Sequence, residues 1–170
     1  MSPRIEVLKG DITQLDVDAI VNAANTSLIG SSGVAAAIQR AAGPEILSAL
    51  RALGGCEVGD AKLTPGYQLP AKYVIHTVGP VWHGGGRGED EALASCYRRS
   101  LALAEAHGIR SIAFPAISTG VYRFPPERAA EIAVREVSAF LATSKVVEKV
   151  ILIGFDDRTI ELYQSLLASR

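Results

Sequence analysis

Three stretches of the chain carry residues that could do chemistry on a bound molecule. In Gly10-Asp11-Ile12-Thr13 a carboxylate follows an apolar run. Just past a strand it could accept a hydrogen bond from an exocyclic amine. It could equally cap the turn into Thr13-Gln14-Leu15, as Asp does in turns. In Asn22-Ala23-Ala24-Asn25 and the following Thr26–Val34, small residues let the backbone approach another molecule closely. That segment opens into a helix near Val34, and free N–H groups at a helix start favour anionic oxygen. A flexible Gly/Ser connector is the plain alternative. In Pro115–Pro125, Ser118, Thr119 and Gly120 could form an amide nest for a phosphate. Tyr122 and Phe124 could wall a sugar or a base, or plug the core. The nine residues between those two prolines are more than a structural link needs.

The remaining reactive side chains read as structure. His76 lies inside an apolar run and is expected to be a hydrogen-bonded core or rim histidine. His83 falls in a loop, and His107 ends a helix, where a cation suits the dipole. Cys56 and Cys96 share no CxxC spacing and read as two reduced thiols. With three histidines and two cysteines so dispersed, no metal site is expected. No GxSxG elbow surrounds Ser118, so it is not read as a nucleophile. Neither GxGxxG nor GxxxxGK[ST] occurs, which sets aside the dinucleotide-binding and P-loop motifs. Arg98-Arg99 reads as a solvated helix face.

The elements that must position these loops alternate. Strands are expected at Ile5–Leu8, Ala19–Ala24, Lys62–Thr64, Tyr73–Val78, Ser111–Pro115 and Val147–Gly154. Helices are expected at Val34–Ala42, Pro44–Leu53, Glu89–His107 and Pro126–Leu141, with a last one capped by Asp156 or Asp157 and running to about Leu167. Such alternation implies an α/β layered sandwich. Ligands in such folds sit beyond the carboxyl ends of the strands. Asp11, Asn25 and Ser118 all fall just past strand ends, so three loops should share one rim. Glycine-rich Trp82–Gly88 reads as a flexible surface loop.

Length and charge bound the function. At 170 residues the chain suits one domain, residues 1–170, with a sizeable core. Its net charge of −1 supplies no field to draw in nucleic acid or an anionic membrane. Aromatics make up only 6%, too few for the stacking platforms of a single-strand binder. No apolar run approaches the length of a membrane span, and the N-terminus has no secretory h-region. A cytoplasmic monomer is the expectation.

Taken together these segments resemble the macro domain family. The resemblance runs from about Ile5 to about Leu167. It rests on Gly10-Asp11-Ile12-Thr13, Asp18-Ala19-Ile20-Val21-Asn22-Ala23-Ala24-Asn25, Val74-Ile75-His76-Thr77-Val78-Gly79-Pro80 and Phe114-Pro115-Ala116-Ile117-Ser118-Thr119-Gly120-Val121-Tyr122. It looks closest to the bacterial MacroD-like branch, which removes ADP-ribose from proteins or deacetylates O-acetyl-ADP-ribose. The resemblance implies a three-layer α/β/α fold with a central mixed β-sheet. Implied ligands are ADP-ribose, ADP-ribosylated proteins or O-acetyl-ADP-ribose, with no cofactor. Asp11 would read the adenine amine, and Ile12 would add a backbone contact. Asn25 would hold the distal ribose and serve catalysis. Ser118, Thr119, Gly120, Val121 and Tyr122 would wrap the diphosphate, with Tyr122 as a wall. Gly33 and Val34 would line its other side.

One loop departs from the branch, which reads Gly-Gly-Gly-Gly-Val-Asp-Gly-Ala-Ile-His there. Here it reads Gly30-Ser31-Ser32-Gly33-Val34-Ala35-Ala36-Ala37-Ile38-Gln39. Ala35 stands where the branch carries the acid proposed to activate water. A positioned base contributes ~10²–10⁴-fold, so the expected rate is lower. Other macro domains lacking this acid still hydrolyse mono-ADP-ribose esters. A slowed hydrolase and a non-catalytic ADP-ribose reader both remain open.

Overall fold

Apolar runs of strand length alternate with amphipathic stretches, and in the computed structural model they form a sheet covered on both faces. The structure describes residues 4–30 and 33–169. Strand β1 (Ile5–Lys9) is followed by a single 3-10 turn (Ile12–Gln14) and β2 (Ala19–Ala24). Helices α1 (Gly33–Ala42) and α2 (Glu45–Leu53) come next, then β3 (Ala61–Pro65) and β4 (Tyr73–Val78). The second half runs α3 (Glu89–Ala106), β5 (Ser111–Phe114), α4 (Pro126–Thr143), β6 (Lys149–Gly154) and α5 (Asp157–Ala168).

The sheet order is β1-β6-β5-β2-β4-β3. Five strands run parallel, and edge strand β3 pairs antiparallel with β4, so the sheet is mixed as expected. Strand residues alternate between two cores, as the two-residue period of a strand requires. Val21, Ile75, Ile112, Phe114, Val150 and Leu152 face one way, against α3, α4 and α5. Ile20, Val74, Ala113, Ile151 and Ile153 face the other way, against Ile38 of α1 and Ile46 and Leu50 of α2. Burial on both faces explains why these strands read as continuous apolar runs.

Local chemistry sets the boundaries. Helix α2 stops at Gly54, whose φ of +72° is the left-handed cap that suits glycine. Helix α5 begins where Asp156 Oδ1 accepts from Thr159 N at 2.7 Å. Strand β6 starts at Lys149, two residues later than the sequence suggests. Glu148 N and Lys149 N both turn to Arg110 O (2.8 and 3.1 Å), and the Arg4 guanidinium holds Val147 O at 2.6 Å. Val147 is thereby drawn out of the ladder.

His76 is fully buried in β4. Asn22 Nδ2 donates to its Nδ1 at 3.0 Å, so the ring proton sits on Nε2 and is donated to Thr64 Oγ1 at 2.9 Å. It is a satisfied core histidine that ties β2 and β3 to β4. Burial pushes its pKa down from 6.5 to about 4. The unfolded chain therefore binds a proton that the folded one refuses between those values. Stability is full above pH 6.5 and is lost as pH falls toward 4, by up to about 3 kcal/mol. Urea unfolding of the wild type and His76→Leu at pH 7 and pH 4.5 checks this. The wild type should lose more stability on acidification than the variant does.

Candidate ligand-binding site

Because β1, β6, β5, β2 and β4 are parallel, their carboxyl ends share one rim. The structure brings Asp11, Asn25 and Ser118 together there, each in the loop that follows its strand. Ile12 is buried under the 3-10 turn. Ser31 and Ser32 lie outside the described residues. Gly33 opens α1 one residue earlier than expected, with Val34 half-buried behind it.

Asp11 is exposed, and its Oδ1 accepts from Thr13 N (2.9 Å) and Thr13 Oγ1 (2.7 Å). The turn-cap role raised by the sequence is therefore real. It is compatible with recognition, because Oδ2 has no partner among the described residues and a carboxylate offers about four acceptor positions.

Asn25 sits in a loop anchored from below by Leu28. Leu28 is fully buried although its φ is +69°, a conformation unusual for a bulky residue. The Asn25 side chain is braced inside this loop. Its Nδ2 donates to Ile29 O at 3.2 Å, and Ser27 Oγ donates to its Oδ1 at 2.7 Å. One amide hydrogen and one lone pair remain for a ligand.

The loop after β5 carries the most strain. Ser118 has φ +66° and Arg123 φ +62°. Such non-glycine residues cost of order 1–3 kcal/mol each and cluster at functional sites. The Ser118 hydroxyl is also buried without a hydrogen-bond partner in the described residues. Phe124 N closes the loop on Ser118 O at 2.9 Å, and Arg123 N bonds to Gly120 O at 3.0 Å. Between them the amides of Thr119, Gly120, Val121 and Tyr122 meet no acceptor among the described residues. Four successive free N–H groups make a cradle for an anion.

Two neighbours hold this loop in place. Gly79, just past β4, packs directly beneath it. A Cβ there would overlap Ser118 Oγ and lie 2.7 Å from Ile117 Cγ2. Trp82 N donates to Tyr122 O at 2.8 Å, and the Trp82 ring packs on Phe124 with centroids 4.8 Å apart. Phe124 is therefore a core plug and not a ligand wall, while half-buried Tyr122 keeps that possibility.

The Trp82–Gly88 segment is also more ordered than its composition suggests. The Glu89 carboxylate accepts from His83 N (2.8 Å), Gly85 N (3.1 Å) and Arg87 N (2.7 Å). These bonds, led by the one from His83, hold its carboxyl at about 2. Periodicity could not reveal this knot, because its acceptor lies in the helix that follows the loop.

Sequence reading also missed Phe155. It follows β6, whose carboxyl end lies between those of β1 and β5, and is 65% exposed. An aromatic directly after a buried strand was the available signal.

Gly79→Ala should displace the Ser118 loop and cost about 1–3 kcal/mol, the usual scale of overpacking. Thermal unfolding and amide shifts of Thr119–Tyr122 measure this. Unchanged shifts would show that the close approach is not what holds the loop.

The comparisons agree with this architecture. A family model described as Macro domain matches residues 21–133. A macro domain-containing protein of Chlorobaculum tepidum is 61% identical over 97% of this chain and 96% of its own. An O-acetyl-ADP-ribose deacetylase of Klebsiella pneumoniae is 56% identical over 99% of both chains. A Trypanosoma brucei macrodomain crystallised with ADP-ribose superposes with a TM-score of 0.91 at 41% identity, covering 96% of this chain and 69% of that one. The chain shares its sequence with these relatives and its fold with the solved macrodomain, and it belongs to the macro domain family.

Proposed function

We propose that this protein binds ADP-ribose along the carboxyl rim and releases it hydrolytically from an ester, either on a modified protein or as O-acetyl-ADP-ribose. The observation that carries the reading is the run of four unpaired amides at Thr119–Tyr122, held between the loop of Asp11 and the loop of Asn25. It is supported by the relative named as a deacetylase and by the neighbour that holds ADP-ribose.

Each part of the ligand has a matching group. Asp11 Oδ2 accepts from the adenine amine, and the exposed Phe155 ring stacks on the base. The Thr119–Tyr122 amides and the α1 start at Gly33 and Val34 face the diphosphate from two sides. Asn25, braced by Ser27 and Ile29, orients the distal ribose and the attacking water. Water adds to the ester carbon, the sugar oxygen leaves and takes a proton, and a carboxylic acid is released with ADP-ribose.

Ala35 bears on the rate. It is buried, and its methyl packs against Gly30, where a Cβ would lie 2.5 Å away. Its methyl group cannot take a proton from water. Catalysis then rests on positioning alone, and that same observation favours the second reading, a reader without turnover.

Isothermal calorimetry with ADP-ribose tests the pocket; no heat at millimolar ligand would sink both readings. Asp11→Ala should weaken binding by about 1–3 kcal/mol, the scale of a hydrogen bond to a charged group. An unchanged affinity would remove the adenine role. Incubation with a self-modified ADP-ribosyltransferase tests hydrolysis, run beside Ala35→Asp. Faster release at equal affinity would show that position 35 limits the chemistry. No release by either protein over hours would leave a reader.

A further inference from the structure

The hydrogen bonds that brace Asn25 do not end within its own loop. Asn25 Nδ2 donates to Ile29 O at 3.2 Å. That carbonyl belongs to the peptide joining Ile29 to Gly30, which is trans like every other described peptide. A trans peptide is planar, with its C=O and N–H pointing in opposite directions. The N–H of this one, on Gly30, meets a side chain of α1. Gln39 Oε1 accepts from Gly30 N at 2.9 Å, and Gln39 Nε2 donates to Gly30 O at 3.3 Å. Only this orientation of the amide serves both bonds; the reverse sets donor against donor and acceptor against acceptor.

Helix α1 grips Gly30 at two points on one face. Ala35 and Gln39 stand one helical turn apart and so line the same side of α1. A Cβ on Gly30 would lie 2.5 Å from the Ala35 methyl, so only a glycine brings its backbone this close to the helix. Gln39 is half-buried, where hydrogen bonds are stronger than in open water.

A relay of hydrogen bonds thus runs from the Gln39 amide, through the Ile29–Gly30 peptide, to the Asn25 amide. Rotation of that peptide breaks the bonds on both of its sides. At the far end Ser27 Oγ donates to Asn25 Oδ1 at 2.7 Å and accepts from Ile29 N at 3.2 Å. Ser27 alone does not fix the Asn25 amide, because its own acceptor bond depends on where Ile29 is held.

We infer that Gln39 is a positioning residue: through the Ile29–Gly30 peptide it sets the direction of the Asn25 amide, and with it the grip on the distal ribose. The inference rests on the ADP-ribose reading above and deepens it, because Gln39 belongs to none of the three loops. ADP has no distal ribose, so its binding should not depend on Gln39. ADP-ribose binding should.

The test measures ADP-ribose and ADP affinity by calorimetry and the Asn25 side-chain amide by NMR, in the wild type, Gln39→Leu and Gln39→Glu. The first variant removes both bonds. The second keeps the shape and loses the donor while its carboxyl is ionised. At pH 7.5 both should bind ADP-ribose roughly five-fold more weakly than the wild type, and ADP within about two-fold of it. The Asn25 side-chain resonances should be displaced in both. A protonated carboxyl donates and accepts as the amide does, and the Gly30 carbonyl beside it favours that form. Lowering the pH to 5 should therefore return Gln39→Glu, but not Gln39→Leu, toward the wild-type ratio of the two affinities. Equal losses for ADP-ribose and ADP overturn the inference, since they mark a general loosening of the fold. Unmoved Asn25 resonances overturn it too, as does a Gln39→Glu variant that matches Gln39→Leu at both pH values. If Gln39→Leu does not fold, the isosteric variant and its pH response decide alone. Failure of ADP-ribose to bind the wild type defeats the functional reading instead, while displaced Asn25 resonances in the ligand-free variants would still uphold the relay.

Discussion

The close approach of Gly79 to Ser118 is the contact on which the candidate site depends. The loops after β4 and β5 belong to strands that are not neighbours, since β2 lies between them. They can meet over the top of β2 only if one of them lacks a side chain at the crossing. Gly79 provides that gap, and Ser118 Oγ fills it. Ser118 must then turn left-handed, with its hydroxyl buried and unpaired. Two local costs are accepted at one residue. What results is a loop whose next four amides find no partner among the described residues, and such strain is characteristic of places where a ligand is held.

Around that crossing the structure is a set of braces. Phe124 plugs the core beneath the loop, Trp82 packs on Phe124, and the Arg128 guanidinium lies 5.4 Å from the centre of the Trp82 ring. Glu89 gathers three amides of the glycine-rich segment that carries Trp82. Leu28 does on the β2 side what Phe124 does on the β5 side. Each of these two loops thus has an apolar anchor in a sheet-facing core.

Ala35, buried in α1, packs against Gly30. The cradle of Thr119–Tyr122 and the hydrogen bonds that brace Asn25 do not involve Ala35.

Much of this was legible in the chain itself. Apolar runs and helical spacing placed the six strands and five α-helices of the described residues, because strands buried on both faces and helices buried on one leave different spacings. Parallel strands put their following loops on one rim, which groups Asp11, Asn25 and Ser118 from their places just past strand ends. Other features belong to the tertiary structure. Nothing in the sequence says that Gly79 lies under Ser118, that Phe124 points inward, that Glu89 ties down a loop of glycines, or that Phe155 stands between Asp11 and the cradle. Those are meetings of residues distant in sequence, set by the strand order β1-β6-β5-β2-β4-β3. Residue type and spacing determine which segments become strands and loops; which loops become neighbours is decided only when the sheet assembles.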